Sequence, residues 1–133
     1  MRSVASVALG MTLATALIAA VSARDAGRAD VEFLYRKCKS QDVRLQAECA
    51  TYLLGVAGAM MEVGKAYQDP ERIGLERSDA APLASFGVCG SRASSAALRQ
   101  VFLNWAEKNP KQWNGWMAQG AMMALAETWP CKR

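Results

Sequence analysis

The residues of this chain that can do chemistry are its four cysteines, which are separated by 10, 39 and 41 residues. They are Cys38, Cys49, Cys89 and Cys131. A zinc site usually has ligands in close pairs such as C-x-x-C, often with histidine, and this sequence has neither. An even number of cysteines in a small exported domain is instead typical of a disulfide framework. We therefore predict two disulfides, and no metal or other cofactor.

The first residues predict that the protein is exported. Arg2 is followed by an uncharged stretch rich in Ala, Val and Leu, which ends at Ala23 in a small-x-small pattern. Signal peptidase prefers this pattern. We interpret residues 1–23 as a cleaved signal peptide and residues 24–133 as one periplasmic domain of ordinary size. The alternative is a retained membrane anchor, because the uncharged stretch is just long enough to span a bilayer.

The apolar residues recur with the period of an α-helix along the whole mature chain. Val31, Leu34, Tyr35 and Cys38 form one such stripe, after a capping Asp30. Four helices are predicted, over about residues 31–39, 44–67, from a cap at Ser91 or Ser94 to 108, and 113–128. No strand pattern competes, so we expect an all-α fold, a small bundle of about four helices in two hairpins.

Two expectations concern how the long helices pack. The second helix is apolar nearly all round in its middle, as a central buried helix would be, and Gly55 and Gly58 are expected to admit a neighbouring backbone. The expected core stripe of the last helix is Ala118, Ala121, Met122, Leu125 and Trp129. Three large apolar residues lie off that stripe and are the candidates for self-association as a dimer: Trp113, Trp116 and Met123.

The helical hairpins help to choose a disulfide pairing. Four cysteines allow three pairings, and their spacing alone does not choose among them. If the first two helices are antiparallel neighbours, Cys38 faces Cys49 across the turn between them. If the last two helices form a second hairpin, the segment before the third helix lies beside the end of the fourth. We therefore predict the pairs Cys38–Cys49 and Cys89–Cys131.

The segment 68–88 is predicted to be a long irregular connection, with at most a short turn of helix. Loops of this length in compact domains are often functional, and a solvated linker is the alternative. Its charged residues are the candidates for binding a partner, because charges at a surface steer association without being needed for the core. They are Asp69, Glu71, Arg72, Glu76, Arg77 and Asp79.

The sequence lacks the usual signs of an active site. The absence of histidine removes the commonest general base and the histidine-based triads, and the motifs G-x-S-x-G, S-x-x-K and H-E-x-x-H are missing. The densest basic stretch, YRKCK at 35–39, is too short to indicate nucleic acid binding and is expected to be a basic helix end. Tryptophan and methionine are abundant instead, and such residues are enriched in protein interfaces. The alternative is that they belong to the core, since apolar stripes at helical spacing usually do.

The cysteine pattern resembles that of the Rap/Tai family of immunity proteins, the partners of type VI secretion effectors. The resemblance covers about residues 32–132 and departs from the family at Gly90-Ser91, where a proline is usual, and at the long segment 68–88. The residues that match are Cys38, Glu48-Cys49, Tyr52 and Gly55 in a C…EC-x-x-Y-x-x-G pattern, Cys89, the WAEKNP helix end at 105–110, Ala124-Leu125, and Trp129-Pro130-Cys131-Lys132.

This resemblance implies a small exported helical protein, stapled by disulfides and often dimeric, that binds a periplasmic peptidoglycan-cleaving amidase and covers its groove. Two other functions remain open. One is a periplasmic holdase-type or stress chaperone that uses the Trp and Met surface promiscuously. The other is a membrane-tethered structural subunit, if the N-terminal segment is retained.

We predict that the mature protein begins at Arg24, because the signal pattern ends at Ala23. N-terminal sequencing of the protein isolated from the periplasm should return Arg24 as the first residue. Recovery of a chain that still begins at Met1 would contradict cleavage and favour the membrane anchor.

Overall fold

The computed structural model describes residues 29–89 and 93–131, and the predicted signal peptide and its cleavage site lie outside them. This part of the chain contains five α-helices and no strand apart from two isolated backbone bridges. The helices are α1 Val31–Lys39, α2 Val43–Gln68, α3 Arg77–Ala80, α4 Ser95–Lys108 and α5 Met117–Thr128. The four longer helices all contact one another, which confirms the predicted all-α bundle.

Side-chain caps and a proline set several of the helix ends. Asp30 accepts a hydrogen bond from the Phe33 amide (2.8 Å) at the start of α1. Ser94 accepts one from the Ala97 amide (3.2 Å) at the start of α4, and the other predicted cap, Ser91, lies outside the described residues. Such caps satisfy backbone donors that have no partner within the helix. As predicted, α4 ends before Pro110, since a residue that precedes proline avoids helical geometry.

The last helix begins four residues later than predicted, at Met117 instead of Trp113. The backbone carbonyls of Trp113 and Gly115 accept hydrogen bonds from Glu32 (3.0 Å) and Val31 (2.9 Å), in the first turn of α1. These carbonyls therefore accept hydrogen bonds from amides of α1 that have no partner within their own helix, and they do not extend α5 toward its N-terminus. Periodicity within one segment cannot predict this, because the partner lies far away in the sequence.

The core forms where α1, α2, α4 and α5 meet. The stripe predicted for α1 is buried throughout, and the largest fully buried side chains include Phe102, Leu34, Leu53 and Leu125. The stripe predicted for α5 was wrong in part: Ala118 is exposed, and Met122 and Trp129 are only partly buried. Gly120 is buried instead, because α5 turns its smallest residue toward α1, where an added Cβ would lie 2.4 Å from Val31 Cγ2.

The helix α2 is not buried all round, and the expectation that Gly55 and Gly58 admit a neighbouring backbone was wrong. Both glycines face open space, since a Cβ added at either one would meet no atom within 4 Å, and Leu54 beside them is 48% exposed. The close approach occurs further along α2 at Gly64, where an added Cβ would lie 2.2 Å from the Val88 carbonyl oxygen. A domain of this size has too few helices to cover every face of a 26-residue helix.

Both predicted disulfides are present. Cys38 and Cys49 join the end of α1 to the first part of α2, and Cys89 and Cys131 join the segment before α4 to the residues after α5. The Cys38 and Cys49 side chains have no exposed surface, and Cys131 is 6% exposed. The last described residue, Cys131, is therefore held against the bundle.

The connection after α2 is more regular than predicted. It contains a 3-10 turn at Pro70–Ile73, the short helix α3 and a second 3-10 turn at Ala81–Ser85. Pro70, Ala80 and Ala84 are buried and anchor these turns. The connection then returns to α2, where the Val88 amide donates to the Met60 carbonyl (3.0 Å).

We predict that Gly64→Ala destabilises the protein by about 1–3 kcal/mol, because the new methyl group overlaps the Val88 carbonyl and the backbone must move. The matched control is Gly58→Ala, which meets no atom and should stabilise α2 by up to about 1 kcal/mol. Urea unfolding measures both variants. Equal effects of the two substitutions would contradict the close approach.

Candidate partner-binding surface

The segment 68–88 lies at the C-terminal end of α2 and carries all six predicted partner-binding charges on its surface. Four of these residues are acidic and two are basic, and they lie on the first 3-10 turn, on α3 and on the residues that precede each of them. They are Asp69, Glu71, Arg72, Glu76, Arg77 and Asp79. The structure thus places them within eleven consecutive residues, 69–79, all on the surface and outside the core.

Both ends of this charged segment are held. At its start, the Asp69 amide donates to the Lys65 carbonyl (2.9 Å) at the end of α2. At its end, Gly87 packs against the backbone of Gly64, and Cys89 is bridged to Cys131. A segment held in this way loses less conformational freedom when it binds a partner than a free loop would.

The segment also exposes two large apolar side chains that sequence reasoning missed. Ile73 is 50% exposed and Phe86 is 57% exposed. The segment also carries a shallow concavity of about 490 Å³, lined by Tyr67, Ser78, Ala81, Pro82 and Ser85. Exposed apolar residues among charged ones are candidates for contact with a partner protein. The signal was available in the sequence as isolated Ile and Phe residues within a polar segment.

The three residues predicted for self-association occupy different environments. Trp113 donates from its indole nitrogen to the Ala106 carbonyl (2.8 Å), and its ring centroid lies 5.0 Å from that of Tyr35. Met123 is partly buried against the core. Both residues lie off the predicted stripe, yet both are partly buried against the core. Trp113 lies outside α5, because that helix starts late, and it packs against α1 and α4. Only Trp116 of the three is strongly exposed, at 76%.

A second concave surface is an apolar groove of about 300 Å³ between α2, α4 and α5. No charged residue lines it, and Leu54 and Gly58 of the exposed α2 face form part of its wall. The other lining residues are Ala57, Met61, Val88, Ala93, Leu98, Leu125 and Trp129. Sites that bind small polar substrates have a few polar groups that fix orientation, and this groove offers almost none among its lining side chains.

The basic end of α1 forms a polar network with α4. The Tyr35 hydroxyl donates to Glu107 Oε1 (2.9 Å), and Lys39 Nζ donates to the Tyr35 hydroxyl (2.6 Å) and to Glu107 (3.2 Å). The Tyr35 hydrogen bond, and then that of Lys39, lower the pKa of the Glu107 carboxyl. The Tyr35 hydroxyl and then Glu107 raise the pKa of the Lys39 amine. Both shifts favour the charged forms of Lys39 and Glu107.

Within residues 29–89 and 93–131, no charged side chain is buried, and no three His, Cys, Asp or Glu residues lie close enough to hold a metal ion. Glu127, on the largely apolar α5, accepts a hydrogen bond from the Trp105 indole (3.2 Å). Glu62 pairs with Lys65 (2.5 Å) on the surface of α2.

These features define a small α-helical protein that is held by two disulfides. A family model, that of the Rap1a immunity proteins, matches residues 30–131, which is most of the chain. The chain belongs to this family of immunity proteins, as its cysteine pattern predicted, and membership implies a secreted effector as its partner. No curated protein and no solved structure matches the chain. Among the described residues, no helix has both the length and the apolar character needed to cross a membrane.

Proposed function

We propose that this protein is a periplasmic immunity protein that binds a peptidoglycan-cleaving amidase effector of type VI secretion and inhibits it by covering its groove. The observation that carries the proposal is the family match over residues 30–131. The same residues fold as a helical bundle with two disulfides. One joins α1 to α2, and the other joins the segment before α4 to the residues after α5. Such a protein inhibits by stoichiometric binding and needs no chemistry of its own.

The disulfides support the periplasmic part of this proposal. Disulfides persist in oxidising compartments and are rare where thiols are kept reduced. All four cysteines are paired in the structure, which fits a protein that matures after export. A cell-wall amidase acts in the same compartment, so the inhibitor and its target would meet there.

The charged segment 68–88 is our choice for the element that recognises the amidase. It combines the six exposed charges with the exposed Ile73 and Phe86 side chains. Apolar anchors surrounded by charged residues are the usual arrangement of a specific protein interface. The anchored ends reduce the ordering cost of binding.

We predict that removing acidic charge from this segment weakens binding to the amidase effector. The triple variant Glu71→Gln, Glu76→Gln and Asp79→Asn should lose about tenfold in affinity, or about 1.4 kcal/mol. Its melting temperature should change little, because all three side chains are exposed. Calorimetric titration with a purified peptidoglycan-cleaving amidase effector measures the affinity.

The control for this experiment is the double variant Lys108→Gln and Lys111→Gln, which removes exposed charges outside the segment. It should bind the amidase as the unchanged protein does. Equal affinity of all three proteins would contradict the assignment of the segment. If no amidase binds and the protein instead suppresses aggregation of unrelated proteins, the chaperone function replaces immunity, with the apolar groove as its binding surface.

We also propose that the protein self-associates through the exposed Trp116. The change Trp116→Ser removes the apolar side chain at the residue that caps α5, and serine is a favourable cap. Sedimentation velocity at micromolar concentration should show a dimer for the unchanged protein and a monomer for this variant. Phe86→Ser, which removes an exposed aromatic ring elsewhere, should leave the dimer intact. A monomeric unchanged protein would contradict the proposal.

A further inference from the structure

A large basic concavity lies at the opposite end of α2 from the charged segment. We call it the α1–α2 pocket; it has a volume of about 720 Å³. Its lining residues come from α1, the turn after it and the start of α2: Phe33, Tyr35, Arg36, Lys37, Lys39, Ser40, Leu45 and Glu48. Because α2 has 26 residues and a helix rises about 1.5 Å per residue, the two ends are about 39 Å apart.

The pocket combines apolar walls with an excess of positive charge. Phe33 and Leu45 are half-buried and supply apolar surface. Three basic residues line the pocket against one acidic residue, Glu48. The Lys37 amine also lies 4.6 Å from the centre of the Phe33 ring, a cation–π contact that holds this cation over an apolar wall.

The positive charge is only partly neutralised within the protein. Lys37 pairs with Glu48, and Lys39 pairs with Glu107, but both carboxylates are about half exposed. Exposed ion pairs are weak, so an incoming carboxylate can exchange with them at little cost. Arg36 is exposed and makes no ion pair with any described residue. Its guanidinium can bind a carboxylate with two parallel hydrogen bonds.

The backbone beneath the pocket is fixed. The buried disulfide Cys38–Cys49 joins its two helices. Arg99 of α4 donates from Nε to the Cys38 carbonyl (2.6 Å), and the Gln46 side chain donates to the Ser40 carbonyl (2.7 Å). A pocket on a fixed backbone binds with a smaller loss of conformational freedom.

We propose that the α1–α2 pocket is a second docking surface that receives an acidic segment of the partner protein. Carboxylates of that segment bind Arg36 and Lys39, and an apolar side chain between them packs on Phe33 and Leu45. The excess of basic over acidic residues in the pocket lining is complementary to the negative charge of such a segment. The proposal rests on the proposed function, because it assigns a second contact to the same partner.

The first test uses a probe that does not require the amidase. The probe is the blocked peptide Glu-Glu-Leu-Glu-Glu, titrated at low salt into the ¹⁵N-labelled mature protein. The amide signals of Arg36, Lys37 and Lys39 should shift, and the blocked peptide Lys-Lys-Leu-Lys-Lys should leave them unchanged. Peptide affinity should fall at least tenfold in Arg36→Glu and to a smaller extent in Arg36→Gln, and it should remain unchanged in Lys111→Glu.

The second test measures amidase binding by the same variants at low and high salt. Arg36→Glu should weaken binding at least tenfold at low salt and less at high salt, because salt screens exposed charges. If the amidase binds but neither the peptide nor the Arg36 variants show an effect, the pocket proposal fails and the proposed function stands. If the peptide binds in the pocket and no amidase binds, the pocket is supported and the proposed function fails.

One further outcome would overturn the proposal in another way. A single-stranded oligonucleotide of twelve nucleotides also carries regular negative charge. If it shifts the same amide signals and binds more tightly than the acidic peptide, the pocket serves nucleic acid and not a protein segment. Binding of the peptide with no detectable binding of the oligonucleotide supports the protein partner.

Discussion

The structure depends most on the contact between the end of the charged segment and α2. Gly64 lets the backbone at Gly87 and Val88 approach α2 directly, and the neighbouring Cys89 is bridged to Cys131 beside it. This single contact closes the segment 68–88 at its end and holds the last residues of the described chain. The surface that we propose for the effector and the packing of the last two helices therefore share one point of attachment.

The sequence predicted well what depends on neighbouring residues. The stripe of α1, the cap at Ser94 and the helix stop before Pro110 all follow from side chains within a few positions. The disulfide pairs followed from placing adjacent helices beside each other. Features that depend on residues far away in the sequence were missed. The helix α5 starts late because the carbonyls before it accept hydrogen bonds from α1. The close-packed glycine of α2 is Gly64, because the backbone at Val88 packs against it.

The candidate surfaces were predictable only in part, for a similar reason. A charged segment between helices is recognisable from composition, and the six charges are indeed exposed. Whether a tryptophan faces solvent depends on where its helix begins and what packs beside it, so Trp113 and Trp116 could not be distinguished in advance. Likewise, the short basic stretch at 35–39 gave no sign of a pocket, because part of the pocket wall comes from α2.

The connectivity of the two disulfides has a consequence for the order in which the protein matures. Each bridge joins cysteines that are consecutive in the chain, with sequence separations of 11 and 42, and the two loops do not interleave. If pairs form as the chain enters an oxidising compartment N-terminus first, each cysteine meets its native partner before any later cysteine arrives. Correct pairing would then need no reshuffling by an isomerase, and the short first loop has the lower entropic cost of closure.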